Sequence, residues 1–144
     1  MILDAQLQFS DSQAVTAAAG STNTIDLSSV RDIGTGEDLY VVVNCEVAMT
    51  DSGSDSTLVV ALEGDSTTTF TPDGTQDLFT FSALSAAGTV KIAKLSPGSA
   101  PLQYRYIRLK YTPGGGDLTT GTFSAHLTNN IDKYTAYADN ITIS

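Results

Sequence analysis

A single histidine, His126, and a single cysteine, Cys45, are the side chains of this 144-residue chain that could serve as a near-neutral base or a thiolate nucleophile. A Cys–His couple needs both groups within hydrogen-bond reach. Period-two alternation along the flanking segments assigns the two to opposite sides of their sheets. His126 stands among Thr122, Ser124 and Thr128 and reads as an exposed residue on a polar strand face. Cys45 has Val41, Val43, Val47 and Met49 on its own face and reads as a small buried hydrophobe. Oxygen ligands alternate along Asp51, Ser52, Gly53, Ser54 and Asp55, a pattern that could wrap calcium. Counted as an EF-hand loop from Asp51, however, position three is Gly53 and position twelve is Leu62, and neither can bind a cation through its side chain. The spacing of the acidic residues singles out no carboxylate pair, and Gly114, Gly115 and Gly116, which follow Pro113, read as a turn rather than a phosphate cradle. No catalytic residue, cofactor or metal is therefore expected.

The elements that position these residues are strands. No window of helical length carries a 3.6-residue apolar stripe, whereas alternation with a period of two recurs about eight times. Leu3, Ala5, Leu7 and Phe9 alternate with polar residues, as do Asn23, Ile25 and Leu27. The longest run, Asp38 to Met49, places Leu39, Val41, Val43, Cys45, Val47 and Met49 on one face. Leu58 to Leu62, Phe79 with Phe81, and Val90 with Ile92 follow. In Gln103 to Tyr111, Ile107, Leu109 and Tyr111 face one way and Tyr104, Tyr106, Arg108 and Lys110 the other. A last strand from Leu118 to Asn129 turns Phe123, Ala125 and Leu127 toward the core. Such a series, with turn signals every 8 to 12 residues or so, predicts an all-β, antiparallel β-sandwich, jelly-roll-like, with an immunoglobulin-like sandwich as the rival. One domain is expected over residues 1–144, with residues 1–10 as an N-terminal strand or arm and 131–144 as a C-terminal strand or arm.

Charged residues make up 16% of the chain, and Ser, Thr, Asn, Gln and Gly dress the surface instead. A net charge of −9 repels phosphate backbones and anionic lipid, so neither nucleic acid nor membrane is an expected partner. The segment from Met1 shows no basic region or long apolar run of a leader or membrane span, and the protein is expected to stay in the cytoplasm of the cell that makes it.

Three stretches, Met1 to Phe9, RDIGTGEDLYVVV over Arg31 to Val43 and QYRYIRLKYT over Gln103 to Thr112, resemble the Bbp16-like capsid cement proteins of tailed bacteriophages. The resemblance implies a jelly-roll protein on the outer surface of a capsid whose major protein has the HK97-like fold. It also implies self-association as a dimer or trimer, with the major capsid protein as partner. It carries over no catalytic or metal residues. The contact residues expected from the sequence are Leu3, Leu7 and Phe9 of the N-terminal strand, Arg31, the patch of Arg105 with Arg108, and Tyr134, Tyr137, Ile141 and Ile143 of the C-terminal segment. Aliphatic and aromatic anchors on terminal arms suit docking onto a protein surface, and the arginines suit acidic groups on a shell. A carbohydrate- or receptor-binding module of a phage tail is the competing class. It would rely on Tyr104 and Tyr106, because the chain has no Trp. An enzyme is the third class, and the residues above give it no centre.

Overall fold

The computed structural model describes residues 5–28, 38–96 and 98–129. Among the described residues nine strands form two antiparallel sheets: β1 (Gln8–Ala14), β2 (Ala19–Gly20), β3 (Ile25–Asp26), β4 (Leu39–Thr50), β5 (Thr57–Asp65), β6 (Gly74–Phe81), β7 (Thr89–Leu95), β8 (Tyr106–Gly114) and β9 (Thr120–Thr128). Sheet A has the order β1-β9-β4-β7 and sheet B the order β2-β8-β5-β6, with β3 also paired to β8. Because β2 and β3 share one edge of β8, they count as a single interrupted strand. Eight strand positions then pass between the sheets, except at the β5–β6 hairpin within sheet B, in the connectivity of a jelly roll.

The alternating residues of β4, β8 and β9 build the core. Val41, Val43, Cys45, Phe123 and Ala125 from sheet A meet Leu58, Val60, Leu62, Phe81, Ile107, Leu109 and Tyr111 from sheet B, all of them fully buried. Aromatic rings join the layers, with Phe123 5.4 Å from Phe81 and stacked on Tyr111 at 5.8 Å between centroids. Each such side chain contributes about 1.5–3 kcal/mol by leaving water. Tyr111 also carries a hydroxyl into the core, where the Ser10 hydroxyl meets it at 2.8 Å. Burial pushes that phenol up to about 12, so it stays protonated at any ordinary pH.

Three expectations are corrected. The first strand begins at Gln8 rather than Leu3, since Ala5–Leu7 forms a 3-10 turn. β1 then continues past residue 10, the expected end of the N-terminal strand, through Asp11 and Ser12 to Ala14. Its register on β9 shifts between Gln8 and Ser10 and again between Ser10 and Gln13, and such bulges erase alternation. Second, the strand read as Leu58 to Leu62 runs on to Asp65, and Gly64 pairs with Gly74 across the hairpin. The missing side chain is needed there. A Cβ on Gly64 would stand 2.2 Å from the carbonyl oxygen of Pro101, in the 3-10 turn Ala100–Gln103 that plugs this end of the core. Third, Val47 leaves the core face of β4 and is 47% exposed. The β4–β9 register shifts between Cys45 and Val47 and again between Val47 and Thr50, so Met49 returns to the core.

The connectivity gives the sandwich two ends. The β1–β2, β4–β5, β6–β7 and β8–β9 connections lie at one. The β5–β6 and β7–β8 connections, the start of β1 and the end of β9 lie at the other.

Candidate interaction surfaces

Cys45 and His126 do lie on opposite faces of sheet A, because Cys45 pairs with Phe123 on the core side and His126 with Val42 on the outer side. They form no nucleophile–base couple. Burial pushes the Cys45 thiol up, and the thiol donates to the Val47 carbonyl at 3.2 Å. His126 is buried rather than exposed. It sits on the outer face as alternation requires, yet burial there pushes its pKa down and favours the neutral ring. The Asp51 carboxylate is occupied by its own loop. It accepts from the Ser54 and Ser56 amides, and the bonds to Ser56 and Ser54 hold it below the usual carboxylate range. Among the described residues no group of three or more His, Cys, Asp or Glu is placed to hold a metal ion.

The outer face of sheet B carries the arginine patch. Alternation on β8 turns Tyr106, Arg108 and Lys110 outward, and their β5 partners are Asp65, Glu63 and Ala61. The Arg108 Nε donates to Glu63 at 2.8 Å, and its guanidinium lies 4.3 Å from the ring centroid of Phe70, which reaches over from the β5–β6 loop. Gly20 leaves the space, since a Cβ there would stand 2.9 Å from an Arg108 nitrogen. Arg105 grips Asp26 with two bonds of 2.9 and 3.0 Å and lies over the Tyr106 ring. That grip holds the Asp26 carboxyl below its ordinary range. Arg105 and Arg108, read from the sequence as cations offered to an acidic partner, are thus each bonded to a carboxylate of their own chain. Tyr104 and Tyr106 are partly exposed, and the Tyr104 hydroxyl donates to the Asp73 carbonyl at 3.3 Å.

Of the N-terminal anchors, Leu7 is exposed at 36%, in the 3-10 turn that enters β1. Phe9 is fully buried, and its expected role as a surface contact is corrected to core packing, because the bulged start of β1 turns it inward. Leu3, Arg31, Tyr134, Tyr137, Ile141 and Ile143 lie outside the described residues.

Sequence reasoning missed two apolar side chains displayed at the β4–β5 end, Val47 and Leu84. Alternation assigns Val47 to the core, and Leu84 belongs to the β6–β7 connection, where no period applies. A bulge leaves no signature in the sequence to find them by.

An all-β antiparallel sandwich of jelly-roll connectivity defines the class to which this chain belongs. Within that class the chain belongs to the Bbp16 family, whose sequence profile matches residues 9–127, from β1 into β9. No curated protein matches it.

Proposed function

We propose that the chain is a structural virion protein, a capsid cement or decoration subunit. It binds the outer surface of an HK97-like phage head and bridges neighbouring major capsid proteins. The observation that carries this reading is membership of the Bbp16 family across the whole sandwich, together with the resemblance of its β4 and β8 stretches to phage cement proteins. The molecule's surface chemistry supports it. A bridging protein works through extended faces rather than a pocket, and several weak contacts made by one oligomer gain effective concentration. The net charge of −9 keeps such a protein off the packaged nucleic acid. The terminal segments, with Leu3, Leu7, Tyr134, Tyr137, Ile141 and Ile143, are assigned to self-association.

Co-sedimentation of the purified chain with stripped capsids of its own phage tests the reading, with light scattering on the free protein for its mass. Saturable binding at a fixed ratio to the major capsid protein, by a stable dimer or trimer, is expected. A monomer that does not bind capsids would refute it.

A further inference from the structure

Two irregularities of the backbone put apolar side chains into water at one end of the sandwich. In β4 the paired register shifts around Val47 turn its side chain out of the core, leaving it 47% exposed. In the β6–β7 connection Leu84 is 50% exposed and has a φ of 57°, the left-handed region that a branched, bulky side chain rarely enters. Glycine or asparagine is the usual residue at such a turn position. The two irregularities are tied together. The Met49 amide donates to the Ser85 carbonyl at 2.9 Å and the Gly88 amide to the Cys45 carbonyl at 2.7 Å, so the connection is bonded along the bulged half of β4. The Ser85 hydroxyl donates to the Ser82 carbonyl at 2.7 Å and closes the turn on which Leu84 sits. Backbone strain retained beside an exposed apolar residue points to use by a partner, since packing gains nothing from it.

The charge at this end says what partner fits. Its connections hold Asp51, Asp55 and Asp117 and no Lys or Arg, and Glu46 stands next to Val47 in the bulge, held by Ser12 and Ser124. Two copies meeting here would bring like charges together, which disfavours a second copy as occupant. We infer that Val47 and Leu84 form the contact by which the chain docks onto an apolar depression rimmed by basic residues on a different protein. Resting on the cement reading, this deepens it, because the depression then belongs to the major capsid protein. The start of β1 and the end of β9 lie at the opposite end of the sandwich.

The test uses the full chain and stripped capsids. Val47→Asn with Leu84→Asn should weaken capsid binding at least tenfold, with unchanged mass by light scattering and an unchanged or higher melting temperature. Asp117→Lys alone should weaken binding severalfold and leave melting unchanged. Leu84→Gly, which also accepts the left-handed backbone, separates the loss of the side chain from any effect of asparagine. Wild-type binding by the double variant would overturn the inference while the cement reading stands. A double variant with reduced mass would also overturn it, by assigning the face to contact between copies. Failure of the unmodified chain to bind capsids would overturn both.

Discussion

On the outer face of sheet B, Arg108 is bonded to Glu63 and covered by Phe70, and Arg105 is bonded to Asp26. On the outer face of sheet A the central pair is uncharged, a buried Val42 beside a buried His126, and toward the β4–β5 end that face opens onto exposed Val47. The first surface satisfies itself with charge pairs drawn from its own chain. The second holds little charge at its centre and ends in apolar side chains, Val47 and Leu84, that are left about half exposed. Side chains with partners inside the molecule answer to stability, and those displayed against their own preference answer to binding. Changes on the two faces should therefore separate in their readouts.

The largest effect is expected at Glu63. Its carboxylate is 9% exposed and bonded to a guanidinium that is 23% exposed, so Glu63→Gln removes the charge opposite a partly desolvated cation. Losing one partner of such a pair costs about 2–3 kcal/mol, or roughly 6–9 °C in melting temperature for a domain of this size. Capsid binding should be unaffected at temperatures where the variant is folded. Weaker binding at unchanged stability would erase the contrast and return the arginine patch to the interaction surface.

His126 sharpens the other side. Its folded pKa is pushed down by burial from an ordinary value of 6.5, so the unfolded chain takes up the proton first as pH falls. The stability linked to this group is complete above the unfolded value and is lost as pH drops through about 6.5 toward the folded value. Melting temperature should decline from pH 7 to pH 5, and His126→Gln should flatten that decline. The bonded carboxylates Asp26 and Asp51, whose pKa values are lowered, lose their contributions only below the ordinary carboxylate range, outside this window.

At Leu84 stability and binding should move in opposite directions. A left-handed conformation costs a non-glycine residue about 1–2 kcal/mol, and asparagine tolerates it better than leucine. Leu84→Asn should therefore hold or raise the melting temperature, by at most about 3 °C. A fall of several degrees would show that Leu84 packs on its own molecule and would remove it from the displayed pair.

How much of this was legible in the sequence follows from where alternation holds. Along β8 it placed Ile107, Leu109 and Tyr111 inward and Tyr106, Arg108 and Lys110 outward, as observed, because β5 pairs with the whole of that strand in unbroken register. Along β1 and the second half of β4 it failed for Ser12 and Val47, since a bulge is a property of strand pairing that neither strand's own residues announce. The side of His126 was readable but not its burial, which depends on what covers the sheet. The arginines were readable as a cluster. Their carboxylate partners were not, because Asp26 and Glu63 lie 79 and 45 residues away and meet them only through the sheet order.

The smallest effect on stability is expected from Arg105→Ala. Its pair with Asp26 has good two-point geometry, but the side chains are 46% and 44% exposed, so water and salt screen the attraction and ordering two long side chains offsets the remainder. Melting temperature should be unchanged within error, unlike that of Glu63→Gln a few residues along the same sheet face. The bond should still be visible in titration. The Arg105 guanidinium is the first cause of the lowered Asp26 pKa, and the Ser28 amide is a second. By NMR, the Asp26 carboxyl in Arg105→Ala should therefore titrate closer to its ordinary range while remaining somewhat depressed. A drop in melting temperature equal to that of Glu63→Gln would mean that burial does not separate the two arginines, and the distinction between self-satisfied and displayed surfaces would then need another physical basis than desolvation.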